Sequence, residues 1–251
     1  MPVSLHIHDG IAEVALARPP LNVLDTDTLR QLNAALGQLE RRDIRVILIC
    51  SQLPNVFSAG VDIGDHAAER LDGMLAEVRE NARLLLKLRA VTIAAIHGST
   101  LGGGAELAML CDLVIAADDA VLALPEISLA AFPPVAAGLL PERLPWTTAM
   151  RLLVGESIDA TRAERLGVVS AVVERSRLLD AARERATQLA AHSAVALRAL
   201  VSATRIERGP ATLRRIDAAI STYQAQVGPA RDAKEGIDAF LEKRPPAWSH
   251  R

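Results

Sequence analysis

Alternation of apolar and polar residues along the first half of the chain predicts strands separated by helices. Two short alternating or β-branched runs, 3–8 and 11–17, flank Asp9-Gly10, a dipeptide typical of a tight hairpin. Continuous apolar runs follow at 46–50, 91–96 and 113–117, with a shorter one at 121–124. Apolar residues at helical spacing predict helices over 26–40 and 71–88. We therefore expect an α/β core whose later strands are parallel.

Helical periodicity dominates after Trp146. It predicts helices over 147–154, 160–166, 178–191, 195–207, 210–226 and 230–242, with one strand over 168–173 among them. We find no low-complexity linker and no internal repeat, so this part is expected to pack on the same core or on another subunit. The chain divides into an α/β core at 1–190 and a C-terminal helical region at 191–251.

Composition limits the kinds of molecule that the chain is expected to bind. Half the residues are hydrophobic but only 2% are aromatic, and the formal net charge of −2 gives no general attraction to nucleic acid or to an anionic membrane. No apolar run reaches the ~18 residues of a membrane-spanning helix. Cys50 and Cys111 lie in or beside apolar runs, as reduced buried thiols do. A cytoplasmic protein is expected.

A glycine run stands between a predicted strand and a predicted helix. Gly102, Gly103 and Gly104 would let the main chain approach a ligand, and the first N–H groups of the helix would be free to donate to an anionic oxygen. The run lacks the lysine of a phosphate loop, the spacing of a dinucleotide fingerprint and the serine of a hydrolase elbow. Tight strand-to-helix packing is an equal explanation from this segment alone.

Two carboxylates stand in apolar surroundings. Glu106 follows the glycines, and Glu126 lies between Pro125 and Ile127. A carboxylate in a first helical turn also simply suits the helix dipole. If the two meet at one site, burial would raise their pKa values into a range useful for acid–base chemistry.

The other histidines and acids considered are better explained as surface or loop residues than as metal ligands. His6 and His8 share one face of a strand without a third ligand, as surface histidines do. Asp62, Asp65 and His66 fit a solvated loop better than a cation site. No metal is expected.

Several motifs in order resemble the enoyl-CoA hydratase/isomerase (crotonase) family. The resemblance extends from Arg18-Pro19 to Trp248. It rests on the segments 57–63 (Phe-Ser-Ala-Gly-Val-Asp-Ile), 97–107 (His-Gly-Ser-Thr-Leu-Gly-Gly-Gly-Ala-Glu-Leu), 111–112 (Cys-Asp), 124–127 (Leu-Pro-Glu-Ile) and 234–244 (Lys-Glu-Gly-Ile-Asp-Ala-Phe-Leu-Glu-Lys-Arg). It implies an α/β, crotonase-like spiral of ββα units with a C-terminal helical layer that serves trimerisation.

The resemblance also implies a reaction. The backbone N–H groups of Val61 and Gly103 would form an oxyanion hole for the thioester carbonyl of an acyl-CoA. Glu106 and Glu126 would hold a water between them, one activating it for attack at C3 and the other giving a proton to C2; which does which stays open. This predicts an enoyl-CoA hydratase.

Coenzyme A enters as part of the substrate, so no separate cofactor is expected. By resemblance, Ala59, Asp62 and Ile63 receive the adenine, and Phe240 with Lys243 lie on the C-terminal helix that reaches the nucleotide end, of its own or a neighbouring subunit. Two lysines common in the family are replaced by Pro20 and Gly64. Phosphate binding would then depend on other cations, such as Arg18 or Lys243. Homotrimers or homohexamers are implied.

One departure from the family pattern concerns the acyl group. In place of Pro-Gly-x-Gly-Gly, the chain has Phe-Pro-Pro-Val-Ala-Ala-Gly-Leu-Leu-Pro at 132–141. This segment resembles cyclic dienoyl-CoA hydratases and makes cyclohexa-1,5-diene-1-carbonyl-CoA the second candidate substrate after a generic enoyl-CoA. An enoyl-CoA isomerase with a single working carboxylate and a non-catalytic acyl-CoA- or RNA-binding relative are further alternatives. The paired acids and the near-neutral charge speak against the last.

Overall fold

A computed structural model describes residues 1–40 and 42–251. The chain opens with the antiparallel hairpin β1 (Val3–His8) and β2 (Ile11–Leu16), followed by helix α1 (Thr26–Leu39). Asp25 caps α1 by accepting a hydrogen bond from the Thr28 N–H, which has no partner within the helix. The hairpin and the first helix agree with the sequence prediction.

A strand–strand–helix unit then repeats three times. Its long strands are β3 (Val46–Ser51), β5 (Val91–Ile96) and β7 (Leu113–Ala117). Its short strands are β4 (Val56–Ser58), β6 (Ser99–Leu101) and β8 (Val121–Ala123). The helices are α2 (Ala68–Lys87), α3 (Gly103–Leu110) and α4 (Pro134–Leu139), with 3-10 turns at Ile63–His66 and Pro125–Leu129.

The remaining elements are mainly helical. They are α5 (Trp146–Leu153), β9 (Ile158–Asp159), α6 (Ala160–Arg165), β10 (Ala171–Val173), α7 (Leu178–Ala190), α8 (Ala194–Arg205), α9 (Arg208–Thr222), a π-helical turn (Tyr223–Val227) and α10 (Arg231–Leu241).

Long and short strands separate into two sheets. One has the order β1-β2-β3-β5-β7-β10 and the other β4-β6-β8-β9. From β2 to β10 the neighbours in the first sheet are parallel, as predicted. Both faces of the first sheet are covered: Val46 and Leu48 belong to a cluster with the alanines of α7, whereas Ile47 and Ile49 belong to the larger core. Burial on both faces explains the continuous apolar runs.

The C-terminal region shares this core. Ile216, Ile220 and Tyr223 belong to the larger apolar cluster, although they lie beyond the predicted boundary at 190/191. None of the helices in the described ranges is both long and apolar enough to cross a membrane.

Five elements differ from the prediction. The strand expected over 168–173 forms only at Ala171–Val173, because the Val168 and Val169 N–H groups instead bond the Ala163 carbonyl. Strands β4, β6 and β9 and the short helix α4 were not predicted. They have two to six residues, too few for periodicity to appear.

Candidate active site

Three strands of the smaller sheet deliver the candidate residues to one edge. β4, β6 and β8 are neighbours and run parallel. Their carboxyl ends therefore lie side by side, which is where ligands bind in parallel sheets. Val61 follows β4, the glycine run follows β6, and Glu126 follows β8. The Gly102 N–H donates to the Ala123 carbonyl at 2.9 Å and fixes the second segment against the third.

Close backbone contact brings Val61 and Gly103 together. A Cβ added to Gly103 would lie 2.7 Å from Val61 Cγ2 and 3.4 Å from Val61 N, so a side chain there would separate the two segments. Gly103 begins α3, where N–H groups lack helical partners. In residues 1–40 and 42–251, neither the Val61 nor the Gly103 N–H has a protein acceptor. Two neighbouring backbone N–H groups of the described residues are thus without a protein acceptor.

A buried polar network holds the Val61 segment in place. The Asn22 side-chain amide donates to Ser51 Oγ at 2.8 Å and to the Phe57 carbonyl at 3.0 Å. Ser58 Oγ donates to the Asn22 carbonyl and accepts from the Gly60 N–H. Because these groups are buried and bonded to one another, the segment that presents Val61 is rigid before any ligand arrives.

Glu106 is a buried acid on α3. Its Oε1 accepts a hydrogen bond of 2.8 Å from the Ala136 N–H of α4. Burial, followed by the charge of Glu126, raises the pKa of Glu106 well above the ordinary carboxyl value, while the Ala136 N–H opposes the shift. This direction agrees with the prediction from the apolar surroundings.

Glu126 faces the glycine run. Its Oε1 would lie only 2.7 Å from a Cβ on Gly102, whose φ of +49° also favours glycine. Burial raises the pKa of Glu126 as well. Its Oε2 is buried without a hydrogen-bond partner among the described residues. A buried oxygen without a hydrogen bond raises the free energy of the folded protein. This carboxyl oxygen can therefore accept a hydrogen bond from a ligand or a water molecule.

One cavity of about 80 Å³ collects these groups. Val61, Gly103, Glu106 and Glu126 all line it, as predicted for one site. The other lining residues are Ala59, Gly60, Ile63, His66, Met74, Leu75, Val78, Gly102, Pro125, Leu129, Phe132, Pro134 and Tyr223. Apolar side chains thus surround two carboxyl groups, which is the condition that raises their pKa values.

His66 and Tyr223 were not predicted as site residues. The Tyr223 hydroxyl and His66 Nδ1 share a hydrogen bond of 2.9 Å, and the Tyr223 ring lies 5.1 Å from that of Phe132. Tyr223 is the only tyrosine in an aromatic-poor chain. It lies in a π-helical turn, a feature found frequently at functional sites. The scarcity of tyrosine was the one signal that could have singled it out.

The residues predicted to contact coenzyme A divide into two groups. Ala59 and Ile63 line the cavity, and Asp62 caps the adjacent turn by accepting from the Gly64 N–H. Phe240 is half exposed on α10, and Lys243 follows that helix; neither belongs to the cavity lining described above. Helix α10 itself packs against the turns at Ile63–His66 and Pro125–Leu129.

Arg18, one of two cations suggested for phosphate, is already engaged. It pairs with Asp25 at 2.7 Å. Lys243, the other suggested cation, is exposed. For the described part of the chain, no cluster of three or more candidate metal ligands is found.

Comparison with known proteins shows the family of the chain. The model of the enoyl-CoA hydratase/isomerase family matches residues 6–251. The chain belongs to this family. Cyclohexa-1,5-dienecarbonyl-CoA hydratase from Thauera aromatica is 33% identical over 246 residues, which are 97% of this chain and 95% of the relative. The probable enoyl-CoA hydratase echA8 from Mycobacterium bovis is 36% identical over 250 residues, 95% and 94% of the two chains.

Solved structures agree on the fold of the family. The crystal structure of an enoyl-CoA hydratase from Mycobacterium avium subsp. paratuberculosis K-10 matches with a TM-score of 0.86 over 99% of both chains, at 23% identity. The predicted family, the spiral of ββα units and the assignment to enoyl-CoA hydratase-type enzymes are confirmed. The roles of individual residues remain predictions.

Proposed function

We propose that this enoyl-CoA hydratase/isomerase family member adds water across the 2,3 double bond of an enoyl-CoA thioester. The observation that carries the proposal is the shared cavity of two buried carboxyl groups and two unengaged backbone N–H groups. The N–H groups of Val61 and Gly103 would donate to the thioester oxygen as it becomes an enolate. Donors already fixed in place stabilise that charge without reorganisation.

The two glutamates divide the proton transfers. One carboxylate takes a proton from water while the water oxygen bonds to C3. The electron pair of the double bond moves toward the thioester, and the other carboxyl group gives its proton to C2. The product is a 3-hydroxyacyl-CoA. This chemistry requires one proton on the pair, and the raised pKa values of both groups favour keeping it near neutral pH.

Replacement of either acid tests the mechanism. We expect Glu106→Gln and Glu126→Gln each to lower kcat for crotonyl-CoA by about 10²–10⁴, the usual contribution of general acid–base catalysis. Loss of the conjugated thioester absorbance measures the rate. Glu164→Gln changes an exposed glutamate outside the cavity and serves as control. Full activity in both cavity variants would refute the mechanism.

An isomerase would use the same oxyanion hole without adding water. Two facing acids favour hydration, because an isomerase needs only one carboxylate to move its proton. Reaction in ¹⁸O-labelled water separates the two activities. A 3-hydroxyacyl product carrying the label supports hydration, and an unlabelled shifted double bond supports isomerisation.

The substrate has two candidates. A generic enoyl-CoA is the first, and a cyclic dienoyl-CoA is the second. The second is supported by the Thauera aromatica relative and by the divergent segment 132–141, from which Phe132 and Pro134 line the cavity. The specificity constants kcat/KM for crotonyl-CoA and cyclohexa-1,5-diene-1-carbonyl-CoA, measured side by side, decide between them.

The proposal includes coenzyme A contacts, assembly and location. Ala59, Asp62, Ile63, Phe240 and Lys243 would contact the coenzyme A portion of the substrate. Assembly into homotrimers or homohexamers is supported by large exposed apolar residues at helical spacing on and just after α5: Trp146, Met150 and Val154. A cytoplasmic location is part of the proposal. Light scattering should give three or six times the chain mass of 26.8 kDa.

A further inference from the structure

The cavity has a polar end that the proposed hydration does not use. His66 comes from the turn after β4, and Tyr223 from the π-helical turn after α9, so separate parts of the chain supply the pair. Their hydrogen bond of 2.9 Å joins the Tyr223 hydroxyl to His66 Nδ1. Both residues line the cavity together with Glu126. The Tyr223 side chain is buried, which makes its hydroxyl inaccessible from outside the cavity.

The His66–Tyr223 pair retains one hydrogen-bond donor that their shared bond does not use. Burial lowers the pKa of His66 and raises that of Tyr223, so both side chains are neutral near pH 7. If Tyr223 donates to Nδ1, then His66 Nε2–H remains as a donor. If Nδ1–H donates instead, the Tyr223 O–H remains. In either tautomer one donor is left, because a neutral imidazole and a phenol together carry two protons and their shared bond uses one.

Apolar side chains limit the acyl group that can reach this end. Met74, Leu75, Val78, Leu129 and Phe132 are among the apolar residues of the lining. The cavity, of about 80 Å³, is small, which favours a compact acyl group. The pair is polar and its surroundings are apolar. A purely hydrocarbon acyl group binds less favourably there, because it leaves the remaining donor of the pair without an acceptor.

We propose that the His66–Tyr223 pair selects a compact acyl group bearing an oxygen at its fourth chain position. The inference rests on the proposed acyl-CoA function and adds the class of acyl group. The oxygen, as a hydroxyl, ether or carbonyl, accepts the donor that the pair retains. Such a contact is separate from the C3 and C2 positions, where the two glutamates act.

Binding of matched thioesters tests this contact without turnover. Isothermal titration calorimetry compares 3-methoxypropionyl-CoA with pentanoyl-CoA, in which a methylene replaces the ether oxygen at the fourth position. We expect the ether to bind about tenfold more tightly, the effect of one well-formed hydrogen bond. Because the retained donor can lie on either residue, both Tyr223→Phe and His66→Phe are measured. The preference should fall to near unity in at least one of them.

Thr212→Val is the matched control. Thr212 lies on α9, is buried and accepts from Arg215, so the variant loses a buried hydroxyl near the same region without changing the cavity lining. It should keep the preference for the ether. Thermal melts of all variants confirm that they are folded.

Three results would overturn the inference. They are equal binding of the two thioesters by the unmodified protein, a preference that persists in both Tyr223→Phe and His66→Phe, and a gain seen only for 3-hydroxybutyryl-CoA over butyryl-CoA. The last would place the contact at C3. Hydration of crotonyl-CoA, assayed in parallel, reports on the proposed function alone: its absence with the ether preference intact would refute hydration and leave the acyl contact standing.

Discussion

Glu106 and Glu126 give stability an unusual dependence on pH. Burial raises both pKa values, so between pH 4.5 and the raised values the folded protein binds more protons than the unfolded chain. Their contribution is complete below pH 4.5 and is lost as the pH rises through the raised values. The free energy of unfolding of the unmodified protein should therefore fall between pH 5 and pH 9. Glu106→Gln removes one of the two ionisations, so we expect this fall to be smaller in the variant by at least about 1 kcal/mol.

Urea unfolding at pH 5, 7 and 9 provides this measurement. Glu164→Gln, at an exposed position, should follow the pH dependence of the unmodified chain. Parallel pH profiles for Glu106→Gln and the unmodified chain would mean that the Glu106 carboxyl group has no raised pKa in the folded protein.

Gly103 is a second single position on which activity should depend. An added Cβ would press on Val61 Cγ2 at 2.7 Å and spread the two N–H donors. We expect Gly103→Ala to lower kcat by about 10²–10³, the effect of losing one oxyanion donor. Steady-state kinetics measures it. Gly37→Ala, on α1 where an added Cβ meets nothing within 4 Å, should leave kcat unchanged. An unchanged kcat in Gly103→Ala would exclude this N–H as a donor.

The junction between α10 and the Pro125–Leu129 turn links the C-terminal helix to the site. Gly236 lies against the Leu129 backbone so closely that a Cβ cannot fit between them. We expect Gly236→Ala to displace the turn that carries Glu126, lowering both kcat and the melting temperature. The loss of stability should be about 1–3 kcal/mol, as for other overpacked contacts. Gly73→Ala, at an open position of α2, should preserve both quantities. If the two variants behave alike, α10 does not position the turn.

The number of residues in a strand or helix determined whether it could be predicted from the sequence. The long strands and helices carry several periods of their apolar pattern, so 91–96 and 26–40 were predicted nearly to the residue. β4 has three residues and is placed by its pairing with β6, in which Val56 meets Ser99 and Ser58 meets Thr100, a long-range contact that no local pattern encodes. The same limit hid Tyr223, since only the packing of the π-helical turn brings it to the cavity. Val61 and Gly103, in contrast, were predicted through the family motifs rather than through periodicity.

The boundary predicted at 190/191 has a consequence for the whole chain. A core at 1–190 would fold alone only if the helices beyond it contributed little to the interior. Instead, Ile216, Ile220 and Tyr223 are buried in the larger cluster. Full burial of a large apolar side chain contributes about 1.5–3 kcal/mol. Losing three of them consumes much of the roughly 5–15 kcal/mol that stabilises a typical domain.

We therefore expect the fragment 1–190 to lack a cooperative unfolding transition, and the fragment 1–227 to retain one. The longer fragment keeps the buried residues of α9 and the π-helical turn and loses only α10 and the tail. Urea titrations followed by circular dichroism compare the two. Cooperative unfolding of 1–190 with a native-like spectrum would show that the α/β core is an independent domain. The predicted outcome instead makes the C-terminal helices part of one folding unit, because Tyr223, which lines the cavity with Glu106 and Glu126, is also part of the core.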